Sequence, residues 1–180
     1  MYAVNPCISG QEERWAKVYN RAKGQFFEEI IAQSMEYYQK GGWASIEKTP
    51  EPMKPIKNNG DGTFQAVYTK KAQPDYKGVL SGGQAIIFEA KYTDKDRIYQ
   101  NAVTAEQAAC LDRYAALNAR CFVMVCLQGT DFYRVPWEAW KGMKEAFGHK
   151  YMTKDNLARY TIPQKGIVRL LDRLELFDCR

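Results

Sequence analysis

Between Gln11 and Gln39 the apolar side chains Trp15, Val18, Phe26, Phe27, Ile30, Ile31, Met35 and Tyr38 return every three or four residues, the period of an amphipathic helix. Gly24 sits inside that run as a break or weak point, and Gly41-Gly42 ends it. Trp43 to Lys48 then reads as a strand. The segment Thr49 to Pro55 holds Pro50, Pro52 and Pro55, which exclude helix and central strand alike. Asn58-Asn59-Gly60-Asp61-Gly62 has the composition of a turn that tolerates left-handed backbone, and Thr63 to Thr69 alternates as a strand. The excursion from about residue 49 to 72 is therefore expected to project from the body.

Val79-Leu80 and Ala85 to Lys91 read as strands joined tightly through Ser81-Gly82-Gly83. A helix is expected over Thr104 to Leu117, with Ala108, Leu111, Tyr114 and Ala115 on its apolar face and Asn118 as its C-cap. Cys121 to Leu127 is the strongest core strand, and Phe132 to Val135 pairs with it. Pro136 opens a helix carrying Trp137, Trp140 and Met143; a weaker helix follows Thr153, and a last one covers Ile167 to Leu174. A helix between two apolar strands permits a right-handed crossover, placing 85–91 and 120–127 in parallel. This order predicts an α/β fold: a mixed β-sheet flanked by helices, with a stalk-like projection.

Composition narrows the class. At 180 residues and 46% apolar content, the chain suits one core, so a single domain over 1–180 is expected. Against 21 acidic residues stand 26 Lys and Arg, a net charge of +5, the sign expected for a polyanion partner. Cys7, Cys110, Cys121, Cys126 and Cys179 are odd in number and form no CxxC pair, which argues against a zinc knuckle or a disulfide framework. No apolar stretch is long enough to span a bilayer, and the N-terminus has no signal-peptide core. The expectation is a soluble cytoplasmic protein without membrane association.

The chemistry concentrates in Pro74-Asp75, followed fourteen residues later by Glu89-Ala90-Lys91. Strand side chains alternate, so Glu89 and Lys91 point the same way at the end of a core strand. Charged groups there cost desolvation energy unless something uses them, and a divalent cation with a phosphate would. The sole histidine, His149, lies far from these residues in sequence, so histidine general-base catalysis is not expected.

This layout resembles the PD-(D/E)xK nuclease superfamily, with its restriction-endonuclease-like core. A wider set of blocks resembles RecU, the Holliday junction resolvase family of Gram-positive bacteria and their phages. Those blocks are Lys23-Gly24-Gln25-Phe26-Phe27-Glu28-Glu29 with Tyr37-Tyr38, Ala44 to Pro52, Asp75-Tyr76-Lys77-Gly78-Val79, Phe88-Glu89-Ala90-Lys91, and Gln100-Asn101 with Gln107. The likeness runs from about residue 23 to 135, and the C-terminal third is only loosely similar.

The resemblance implies a Mg²⁺-dependent endonuclease, with Mn²⁺ substituting, that resolves four-way DNA junctions in recombination and repair by paired symmetric nicks leaving 5′-phosphate ends. It implies Asp75, Glu89 and Gln107 as metal ligands, Lys91 as the catalytic cation, and Glu28 as a contact to water or the outer shell. A helix face lets only one of Glu28 and Glu29 turn to the site. Gln73 stands where the family carries a threonine of the metal site, and offers a carbonyl oxygen in its place. Lys48, Lys54, Lys57, Lys70, Lys71 and Lys77, on or beside the excursion, would contact DNA phosphates, the corresponding segment of the family being a stalk that enters the open centre of the junction. The implied partners are a second copy of the chain, in a homodimer, and a RecA-type recombinase. Two alternatives remain open: a DNA-binding recombination factor that modulates a recombinase without essential cleavage, and a duplex endonuclease of restriction or repair type.

Overall fold

The computed structural model describes residues 7–50, 52–68, 73–172 and 174, with the side chains of the first helix described from residue 22 onward. That helix, α1 (Cys7–Lys40), runs through Gly24 without interruption. A glycine inside a helix costs about 1 kcal/mol. The burial of Phe27, Ile31 and Tyr38 along one face outweighs it, so the break expected there is absent. Phe26 points outward, and Ser34 takes a buried place on the inner face.

β1 (Ala44–Lys48) follows at the edge of the main sheet. β2 (Met53–Asn58) and β3 (Phe64–Tyr68) form a separate antiparallel hairpin that joins no other strand among the described residues. Every residue of β2 is exposed, Pro55 included, which agrees with the exclusion of proline from central strands. The hairpin spans 53–68, inside the excursion expected at about 49–72. Its tip is a knot of short polar contacts: Gly60 N–H donates to Asn58 Oδ1 at 2.9 Å, and Thr63 N–H to Asp61 Oδ1 at 2.9 Å.

The chain then returns to the sheet as β4 (Tyr76–Leu80) and β5 (Ala85–Thr93), an antiparallel pair. β4 also pairs with β1, and Gly78 makes that approach possible: a Cβ there would lie 2.2 Å from the Ser45 carbonyl oxygen. β6 (Arg97–Tyr99) precedes α2 (Ala105–Ala116), and Asn118, one position past the Leu117 cap, takes φ +62 to end the helix. After the crossover, β7 (Arg120–Leu127) lies parallel to β5, and β8 (Asp131–Pro136) turns back against β7. The resulting five-stranded mixed sheet has the order β1-β4-β5-β7-β8 and is flanked by helices, as expected.

The remainder departs more from expectation. The helix opened by Pro136 is two short ones, α3 (Trp137–Lys141) and α4 (Met143–Phe147), divided at Gly142. β9 (Tyr151–Thr153) pairs with β6, and α5 (Lys154–Leu157) follows Thr153, which caps it. The last expected helix, Ile167 to Leu174, does not form over the described residues 167–172. β10 (Gln164–Lys165) and β11 (Ile167–Val168) make a small hairpin around Gly166 at φ +78. Beyond it, Leu170 N–H donates to Ser34 Oγ at 3.4 Å and Leu171 N–H to Tyr38 Oη at 3.2 Å, while the buried Arg134 guanidinium holds the Leu170 and Asp172 carbonyls. Partners on α1 and β8 replace the helical ladder, so an apolar period that mimics a helix is instead a strap.

Alternation divides the sheet into two packed faces. Ile86, Phe88, Phe122, Met124 and Phe132 meet α1, whereas Ile87, Val123, Val125, Tyr133 and Val135 meet α2, Trp137 and Trp140. Tyr76, Phe88 and Phe122 stack across three strands on the α1 face, with ring centroids 4.7 Å apart at each step and planes within 12°. That ladder locks the register, and a slip of one residue would turn every neighbour to the wrong face.

Candidate active site

Since Tyr76 is paired with Phe88, Asp75 comes to lie beside Glu89 on the opposite face of the sheet, below the first turn of α2. Lys91 follows Glu89 on the same face. Three contacts tie the group together. Asp75 N–H donates to Glu89 Oε2 at 3.2 Å, Asp75 Oδ2 accepts from Ala90 N–H at 2.9 Å, and Lys91 Nζ donates to Glu89 Oε1 at 2.7 Å. Glu89 is 1% exposed and Lys91 keeps 22% of its side-chain surface, so the acid is sunk in the sheet and the amine reaches toward solvent.

Burial pushes the Glu89 carboxyl up to about 7, and the adjacent Asp75 charge and a carboxyl–carboxyl hydrogen bond push the same way, against the opposing pull of Lys91. Two carboxylates crowded in this manner repel, and a hard dication is what would relieve the repulsion. Among the described residues no cluster of three or more His, Cys, Asp or Glu is placed to hold a metal. A site of two acids suits Mg²⁺, which keeps several waters and draws its other oxygens from them and from phosphate.

Gln107 reaches Glu89 from α2, its Nε2 donating to Glu89 Oε1 at 2.5 Å. Its own oxygen accepts from Thr104 N–H at 3.0 Å, while Thr104 Oγ1 accepts from Gln107 N–H, a complete capping box. The Gln107 amide thus joins the capping box to Glu89, its oxygen accepting within the box and its N–H donating to the acid. The Thr104-x-x-Gln107 spacing is the sequence signal of that box.

Gln73 is similarly engaged, because Lys77 Nζ donates to its Oε1 at 2.5 Å while lying 5.5 Å from the centre of the Tyr114 ring. Lys77 faces α2, two residues along the strand from Asp75, and belongs to the site face rather than to the hairpin. Glu28 pairs with Lys48 at 2.6 Å on the α1 side of the sheet's rim. Glu28 is thereby tied to β1 of the sheet. Burial raises the Tyr76 phenol above its ordinary value, and the charges of Glu28, Asp75 and Glu89 add to the shift.

Thr49 was not singled out by sequence reasoning. Its N–H donates to the Asp75 carbonyl at 2.7 Å, and its Oγ1 is buried without a hydrogen-bond partner among the described residues. On the hairpin, Lys54 and Lys57 are exposed beside Met53, Ile56, Phe64 and Val67, four apolar side chains each at least 46% exposed. Lys70 and Lys71 lie outside the described residues. No described helix is long and apolar enough to cross a membrane.

Comparison with known proteins places these features in context. The family model RecU, described as Recombination protein U, matches residues 22–178. Among solved structures the chain is similar to Hjc from Archaeoglobus fulgidus, a Holliday junction resolvase from an archaeal hyperthermophile, at 15% identity and a TM-score of 0.47, over 76% of this chain and 88% of that one. A search of curated proteins finds no match.

Proposed function

Because the chain belongs to the RecU family, we propose that it is a divalent-metal-dependent endonuclease that resolves four-way DNA junctions by paired, symmetric nicks. The convergence of Asp75, Glu89 and Lys91 at one strand end, with Gln107 behind them, is the observation that carries this reading. Asp75 and Glu89 would hold Mg²⁺, or Mn²⁺ in its place. When bound, the ion would polarise the scissile phosphate and lower the pKa of a coordinated water.

The chain's own residues do the rest. Glu89 would hold the ion as its carboxylate, kept in place by Gln107 and the Asp75 N–H. Lys91, freed from Glu89, turns its ammonium to the charge gathering on the phosphate oxygens. Glu28 and Lys48 form a charged rim that meets the backbone next to the cut. Lys54 and Lys57, with the apolar side chains around them, form a stalk that enters the open centre of a junction, where unpaired bases and converging phosphates are both within reach. A substrate with two-fold symmetry asks for a two-fold enzyme, so the active species is a homodimer working beside a recombinase in the cytoplasm.

The test is cleavage of four-way, three-way and linear DNA side by side in Mg²⁺. Preferential, paired nicking of the four-way substrate is expected, and equal cutting of linear duplex would reassign the chain to restriction or repair.

A further inference from the structure

Mg²⁺ held by two carboxylates keeps several of its waters, and each water brings hydrogens that need acceptors. The acid pair has few left to offer. Glu89 Oε1 already accepts from Lys91 and Gln107, Glu89 Oε2 from the Asp75 N–H, and Asp75 Oδ2 from the Ala90 N–H.

Thr49 brings a further oxygen to the same face. Along β1, Ala44 and Ile46 pack in the core beneath α1, and Lys48 pairs with Glu28 of that helix, so alternation turns Ser45, Glu47 and Thr49 the other way. Lys48 lies opposite Tyr76 of β4, and the Thr49 N–H donates to the Asp75 carbonyl at 2.7 Å, which carries the ladder one step further and sets Thr49 opposite Asp75. Cross-strand partners share a face, so the Thr49 side chain stands on the side of Asp75, Glu89 and Lys91. Its Oγ1 is buried and has no hydrogen-bond partner among the described residues. A buried hydroxyl left unpaired is destabilising, and that cost disappears when something bound beside it supplies a hydrogen bond.

Building on the nuclease reading above, we propose that Thr49 is a positioning residue of the metal site, its hydroxyl accepting a hydrogen bond from a water of the ion that Asp75 and Glu89 hold. The hydroxyl is neutral, so it adds an acceptor without adding to the charge that already crowds the two acids. Thr49 thereby strengthens the grip on the ion and fixes where one of its waters stands.

The experiment compares Thr49→Val, which keeps the β-branched shape and removes the hydroxyl, with Thr49→Ser, which keeps the hydroxyl, each in the full chain without DNA. Binding of Mn²⁺ is read from the electron paramagnetic resonance signal of the free ion, and Mg²⁺ is followed through the rise in melting temperature that it produces. Thr49→Val is expected to melt no lower than the wild type without metal, to bind Mn²⁺ about tenfold more weakly, and to need about tenfold more Mg²⁺ for the same rise in melting temperature. Thr49→Ser should bind within about twofold of the wild type. A threonine that serves only the fold would do the reverse, lowering the metal-free melting temperature of Thr49→Val and leaving the affinity alone. Should Thr49→Val lose its cooperative thermal transition, Thr49→Ala, which also lacks the hydroxyl, carries the same titrations. Native affinity in a folded variant without the hydroxyl, or an equal loss in Thr49→Ser, overturns the role of Thr49 while the wild type still binds the ion. A wild type that binds neither ion overturns the metal reading of Asp75 and Glu89, and this inference with it.

Discussion

The main-chain N–H of Asp75 donates to the Glu89 carboxylate, and the Asp75 carboxylate accepts from the main-chain N–H of Ala90, next to Glu89. Each acid is thus fixed by the strand of the other, and the pair is held close despite its charge. Asp75→Asn should keep the fold, because an amide oxygen can still accept from Ala90, and should remove the repulsion that Asp75 exerts on Glu89. The expected outcome is loss of junction nicking by about a hundredfold or more with binding in Ca²⁺ largely intact and no drop in melting temperature. Retained cleavage would contradict the metal assignment.

Glu89 makes stability depend on pH in a direction opposite to that of carboxylates held below their ordinary pKa by an ion pair. Its folded-state pKa is raised from the ordinary 4.5 to about 7, so the metal-free folded protein holds a proton that the unfolded chain has released. That contribution is complete below about pH 4.5 and is lost as pH rises through 7, with an upper bound of about 3 kcal/mol. Chemical denaturation without metal should show stability falling between pH 5 and 8, on the order of 1–3 kcal/mol, and Glu89→Gln should flatten that slope. Mg²⁺ should stabilise more at pH 8 than at pH 6, since at the lower pH it competes with the proton. A stabilisation by Mg²⁺ that is equal at both would count against Glu89 as ligand.

How much of this was readable in advance depended on the range of the interaction. The apolar run ending in Glu89 and Lys91 shows its strand and its facing by alternation alone, and the crossover through α2 follows from element order. The Asp75–Glu89 register was not legible, because the Tyr76–Phe88–Phe122 stack that sets it joins three separate segments. The spacing of Gln107 from Thr104 carries the capping signal, while its contact with Glu89 depends on the docking of α2 on the sheet, which no local pattern reveals. Ile167 to Leu174 has helical period, yet its backbone groups are bound by Ser34, Tyr38 and Arg134, which no local pattern reveals.

Gln107 offers a way to separate helix capping from site positioning. Thr104→Ala removes the hydroxyl of the box and should cost about 1 kcal/mol of stability with a small effect on cleavage. Gln107→Ala removes the same box and the contact to Glu89 as well, so cleavage should fall by about tenfold beyond any loss of stability. Thermal melts and single-turnover rates on both variants check this, and equal rate losses would reduce Gln107 to a cap.

Lys91 is the cation in direct contact with Glu89, and its removal leaves that acid buried beside Asp75 with less compensation. Lys91→Ala should therefore abolish nicking of a four-way junction, while binding in Ca²⁺ persists because the hairpin lysines are untouched. Its metal-free stability at pH 8 should be lower than that of the wild type, with the difference shrinking toward pH 5 as Glu89 takes up its proton. A variant that cuts normally would remove Lys91 from the chemistry.

Lys54 and Lys57 stand on a ribbon exposed on both faces, so their replacement should leave stability nearly unchanged and act on DNA alone. If each neutralises one phosphate, the double alanine variant should lower the slope of log binding constant against log salt by about 2. The stalk reading adds a condition. Shortening the segment from Lys54 to Lys70 should weaken binding to a four-way junction more than to linear duplex, because only the open centre of a junction gives the ribbon somewhere to go. Titrations of both DNAs across a salt series measure the two effects together. Equal losses on junction and duplex would make the hairpin an ordinary basic surface, with junction selection seated elsewhere in the chain.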